Sequence, residues 1–142
     1  MNVMTDMMDI LEVMYEAAKE VCENVYLQNR PSSTTTKNEK FIVVELPSVI
    51  TNNEISQDGS YNDFSTTGQF TIFVKDRSSS KNGNATPIEK TNELVNSLKA
   101  LFPIKDKEKS VKLRRPRIMI PPASDERGFH YTVIQCDITT NV

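Results

Sequence analysis

The chain is 142 residues long, enough for one domain with one core (1–142), and its 37% hydrophobic and 25% charged residues describe a folded chain on the polar side. A net charge of −2 argues against a general nucleic-acid binder. No apolar run approaches the ~20 residues needed to span a bilayer, and the acidic start lacks the basic region and unbroken apolar stretch of a signal peptide, so a soluble intracellular domain with no membrane partner is expected.

From Asp6 to about Glu23 the residues Met7, Ile10, Leu11, Met14, Ala18, Val21 and Cys22 recur at helical spacing, with acids mainly on the other face. This predicts an amphipathic helix with Asp6 as N-cap and Asp9 favourably placed near the positive end of the helix dipole. Val25-Tyr26-Leu27 suits a short strand, and Asn29–Thr36 has turn chemistry without apolar period. Phe41-Ile42-Val43-Val44-Glu45-Leu46 is β-branched and mostly apolar, the composition of a buried strand that Pro47 ends.

Residues 48–67 are dominated by Thr, Asn, Ser, Asp and Gln. Two readings stay open there, a long loop that is functional or partly disordered and a hairpin with polar tips. Gly68–Lys75 alternates and predicts a strand, with Phe70, Ile72 and Val74 on one face. The stretch 76–85 reads as a flexible polar loop.

Thr86-Pro87-Ile88-Glu89 then combines an N-cap Thr, a Pro at the first helical position and a Glu at the third, a capping box. The helix it starts has an apolar stripe of Ile88, Leu94, Val95, Leu98, Leu101 and Phe102, and Pro103 stops it. The following basic stretch reads as a loop passing into a strand at Arg117–Ile120, broken by Pro121-Pro122. After a turn at 124–128, Phe129–Thr139 alternates as a long strand.

The expected fold is therefore α+β, in the order α-β-β-α-β-β: a mostly antiparallel or mixed sheet of four to five strands with two main helices packed on it.

Residues that could carry chemistry are few. His130 is the only histidine and shares a strand face with Ile134, Cys136 and Ile138, which suits a structural histidine better than a base with an oriented nucleophile. Cys22 and Cys136 lack CxxC spacing, and buried reduced thiols are expected. No HExxH, EF-hand, GxGxxG or GxxxxGK pattern occurs. We expect no catalytic residues, no metal and no cofactor.

Charge is unevenly placed. Residues 1–30 hold six acids against Lys19 and Arg30, a local −4, whereas residues 105–117 hold seven basic residues against Asp106 and Glu108, a local +5. The basic segment 105–117 could neutralise phosphates, which makes a nucleic-acid-binding module the alternative reading. It lacks the interleaved aromatics that single-strand binders use for stacking.

The N-terminal helix, the FIVVEL strand, the polar excursion, the QFTIFVKD strand, the capped helix ending LKALFP and the closing GFHYTVIQCDI strand together resemble the tail terminator and tail-completion proteins of long-tailed bacteriophages. The resemblance lies in size, element order and texture and has no diagnostic motif. It implies a small α+β subunit of a phage or prophage virion, located in the tail or neck and assembled in the bacterial cytoplasm. Such a subunit would form a ring with itself, typically a hexamer, cap the tail-tube protein and meet the head-tail connector protein, with DNA only passing through the channel. For a head-to-tail ring contact the chain offers Glu12, Glu16 and Glu20 on one side and Arg114, Arg115 and Arg117 on the other.

Overall fold

The computed structural model describes residues 7–28, 39–46, 51–54, 63–75, 77–79, 83–85, 88–124 and 128–140. The expected Asp6 cap, the Thr86-Pro87 half of the capping box and the turn at 29–36 lie outside them. The elements in chain order are α1 (Met7–Val21), β1 (Val25–Leu27), β2 (Lys40–Glu45), β3 (Thr51–Glu54), β4 (Asp63–Lys75), β5 (Arg77–Ser79), β6 (Gly83–Ala85), α2 (Ile88–Lys99), β7 (Ile104–Asp106), β8 (Val111–Ser124) and β9 (Phe129–Thr140).

The chain is α+β, with one mixed sheet in the order β1-β2-β4-β9-β8-β7. β1 runs parallel to β2, and the other pairs are antiparallel. β3 pairs with the start of β4 beside the end of β2, which makes seven strands in this sheet, and β5 pairs with β6 as a separate two-stranded hairpin.

Four to five strands is thus a correction upward. The additional strands are three or four residues long and polar or mixed in sequence, and their backbones find partners without any alternation of side chains to announce them. Within 48–67 the described part is β3 paired with β4, as in the hairpin reading. The stretch 76–85 contains the β5–β6 hairpin in place of the expected loop.

β8 is the larger departure. The basic stretch before Arg117 is expected as a loop and Pro121-Pro122 as a break, yet the strand runs unbroken for 14 residues, through Pro116 as well. The ladder with β9 accommodates them by bulging: register shifts fall between Arg114 and Arg117, between Ile118 and Ile120, and between Ile120 and Ala123. All three prolines lie inside such shifts, where a missing N–H costs no ladder bond.

Both helices contribute to the main core, on one face of the sheet. Their buried residues, Ile10, Leu11, Val13, Met14, Ala17 and Ala18 of α1 and Thr91, Leu94, Val95 and Leu98 of α2, define the inward sides. All of these but Ala17 and Thr91 join one cluster with Ile42 and Val44 of β2, Phe70, Ile72 and Val74 of β4, Val111 and Leu113 of β8, and Ile134, Cys136 and Ile138 of β9. Ile88, expected in the α2 stripe, is 63% exposed, because the stripe begins a turn later at Thr91.

The opposite face carries an aromatic cluster. Phe41 stacks on Phe73 with centroids 4.6 Å apart and meets Phe129 edge-on at 5.3 Å, with Val43, Tyr26 and Tyr131 around them. Such pairs add about 0.5–1.5 kcal/mol beyond the area they bury. His130 is buried on the helix-facing side. Among the described residues no helix is long and apolar enough to cross a membrane.

Candidate functional site

The basic segment folds as β7, a turn and β8. In the turn, the Lys109 N–H donates to Asp106 Oδ1 at 3.0 Å, and Ser110 takes a positive φ of 53°. β7 then pairs only with Val111–Leu113, so from Arg114 onward β8 is flanked by β9 on one side and by no described strand on the other.

The first bulge of β8 orients the arginines. Arg115 has a φ of 56°, a left-handed conformation that costs a non-glycine residue about 1 kcal/mol or more, and it reverses the local side-chain direction. Arg117 Nη2 lies 3.1 Å from Asp137 Oδ1 and donates to Gln135 Oε1 at 2.9 Å, while Arg115 Nη1 lies 3.7 Å from Asp137 Oδ2. Arg117 Nη1 also donates to the Arg115 carbonyl at 3.2 Å, which ties the bulge to the ion pair. The Arg114 side chain is exposed and has no hydrogen-bond or ion-pair partner among the described residues.

The acids of α1 line up by helical spacing. Lys109 Nζ reaches back to Glu12 Oε2 at 3.1 Å and more loosely to Glu16 Oε1 at 4.0 Å. Its bond with Glu12 holds the Lys109 ammonium above the ordinary lysine value. Glu20 makes no such contact among the described residues.

Between α1 and β7 lies a groove of about 280 Å³. It is lined by the apolar Val13, Ala17, Leu101, Pro103 and Ile104 and by the charged Glu16, Glu20, Lys105 and Asp106.

The two charged sets proposed as interface residues do not meet within one chain. Arg115 and Arg117 engage Asp137 on the face away from the helices, Glu12 and Glu16 engage Lys109, and the side chains of Arg114 and Glu20 are left over among the described residues. Sequence reasoning passed over Asp137 and Lys109, whose roles depend on the bulged register of β8 and on the turn before it.

It also passed over the apolar run on β8. Ile118, Met119 and Ile120 are 47%, 52% and 39% exposed, and Pro121 and Pro122 beside them are exposed as well. The signal was present in the string IMIPPA, but a strand edge cannot be recognised before the sheet order is known.

Other chemistry is sparse. Burial raises the Glu45 carboxyl above the ordinary value, against a hydrogen bond with Thr71. Among the described residues no three His, Cys, Asp or Glu side chains gather as metal ligands.

No protein-family model matches the chain, and no curated protein does. It is similar to a solved chain described only by a sequence identifier, at 16% identity over 94% of this chain and 91% of that one, with a TM-score of 0.55. At that identity the likeness speaks to the fold. It is also similar to the sheath/tube terminator of an extracellular contractile injection system, PVC, in the extended state, at 8% identity and a TM-score of 0.41. The match covers 99% of this chain and 59% of that one, and a superposition so loose does not establish a shared fold.

Proposed function

We propose that this chain is a structural subunit of a phage or prophage tail, built to assemble rather than to catalyse. The observation that carries the assembly role is the β8 edge, where three consecutive large apolar residues and an arginine whose side chain has no partner among the described residues face solvent, with β9 on one side and no described strand on the other. A chain of this size has little reason to leave such a patch open unless another surface covers it.

The finer reading is that copies form a ring, typically hexameric, which caps the tail tube and joins it to the head connector. It rests on the resemblance in element order: the FIVVE, QFTIFVK, ELVNSLK and FHYTVIQCDI segments fall in β2, β4, α2 and β9. In that setting the protein works by shape and charge at its contacts, in the neck or tail of the particle.

The test is mass in solution by light scattering, for the chain alone and with the tail-tube protein encoded beside it. A discrete ring, or a complex formed with the tube protein, is the expected result. A monomer indifferent to the tube protein defeats the reading. The nucleic-acid alternative draws less support from the geometry, because Lys109, Arg115 and Arg117 already face carboxylates of the same chain. Binding to duplex DNA that falls steeply with salt would favour it.

A further inference from the structure

Resting on that assembly role, we propose that the groove between α1 and β7 of one copy receives the 114–120 stretch of β8 from a second copy. The proposal joins two surfaces that the fold leaves incomplete on every subunit.

The β8 edge comes first. An open edge ordinarily invites another strand, but here bulges interrupt the ladder and prolines 116, 121 and 122 remove backbone donors, both devices that block strand addition. What covers Ile118, Met119 and Ile120 must therefore engage their side chains. A groove does this, whereas another strand edge does not.

The groove supplies the matching chemistry. Its apolar lining suits a methionine or isoleucine side chain, and the carboxylates of Glu20 and of Glu16, which Lys109 engages only loosely at 4.0 Å, suit a guanidinium. Arg114, exposed and without a partner among the described residues, is the arginine left to fill that role, since Arg115 and Arg117 already face Asp137. Glu20 is correspondingly the acid left in the groove.

The pairing cannot close within one chain. Arg114 stands opposite Asp137, whose neighbours Cys136 and Ile138 point to the helices, so both Arg114 and Asp137 belong to the far face of the sheet. The groove lies on the helix-bearing face. Because donor and acceptor are different surfaces of the same molecule, each copy added presents a fresh groove or a fresh edge, and the contact propagates head to tail until it closes.

Sedimentation velocity of the full chain over a range of concentrations tests this, with R114E, E20R, M119D and the double variant R114E/E20R. All three positions lie outside the packed core, and circular dichroism melts check that each variant folds. Each single change should weaken self-association at least about tenfold, and the double variant, which restores opposite charges in reversed order, should recover it. Self-association that none of the changes affects overturns the pairing while leaving an assembly role intact. So does R114E that keeps self-association but loses the tube protein, which would assign the edge to that partner. Self-association absent at every concentration, with tube-protein binding retained, overturns the second copy as occupant; absence of both also defeats the assembly reading.

Discussion

The Cys136 side chain is fully buried on the helix-facing side of β9, between Ile134 and Ile138. Desolvation pushes its thiol up to about 12 from 9.0, against a backbone hydrogen bond from Gly68. The folded state therefore holds this proton where the unfolded chain releases it. Stability from this group is intact below pH 9 and is lost as the pH rises from 9 towards 12, by about 1.4 kcal/mol per pH unit. Urea unfolding of the parent and of Cys136→Ala between pH 8 and pH 11 should show the parent losing stability faster than the variant, and equal slopes would contradict the burial. A buried thiol of this kind was legible from strand alternation alone, as was the buried His130 further along the same face of β9. Asp137 was not legible, since its role depends on a bulge that advances β8 by one residue and brings both Arg115 and Arg117 within reach.

Between elements, the contact of α1 with the sheet turns on Gly68 of β4. A Cβ built there would lie 2.5 Å from Ile138 Cδ1 and 2.9 Å from Met14 Cε, both in side chains with no solvent exposure. The missing side chain lets the helix settle against the backbone of β4. Gly68→Ala should destabilise the fold by about 1–3 kcal/mol in denaturant titration, because side chains already packed on all sides must shift. In a Met14→Ala background the same change should cost less than in the parent, since one of the two obstructing side chains is removed. Both helices, the second half of β4 and β9 follow from periodicity, which is strong wherever one face is buried, and β2 follows from its run of β-branched and apolar residues. α1 nevertheless buries a wider arc than its sequence pattern indicates, adding Val13 and Ala17, because β1, β2, β8 and α2 surround it on several sides. The short strands β3, β5, β6 and β7 carry no such pattern, and the prolines of β8 point away from the continuous strand they in fact belong to.

At the scale of the whole molecule, the sheet is arranged around β9, which pairs along nearly its whole length with β4 on one side and with β8 on the other. Alternation shows that β9 is a strand, but not that it is the central one, because order within a sheet is set by which long-range pairings close the core. The position has a consequence for synthesis. As the chain leaves the ribosome, α1, β2, β4, α2 and β8 all emerge before the strand that joins them, so each of two long edges waits with bare backbone donors and acceptors. A stalled nascent chain ending before Phe129 should remain protease-sensitive throughout, and one extended beyond Thr140 with a linker long enough to clear the exit tunnel should become resistant in a single step. Stepwise protection of the earlier elements would show that they fold without β9. On the first outcome, the interval before β9 appears is when the chain is most exposed to pairing with its neighbours on the same polysome, and the prolines of β8 already guard one of the two waiting edges.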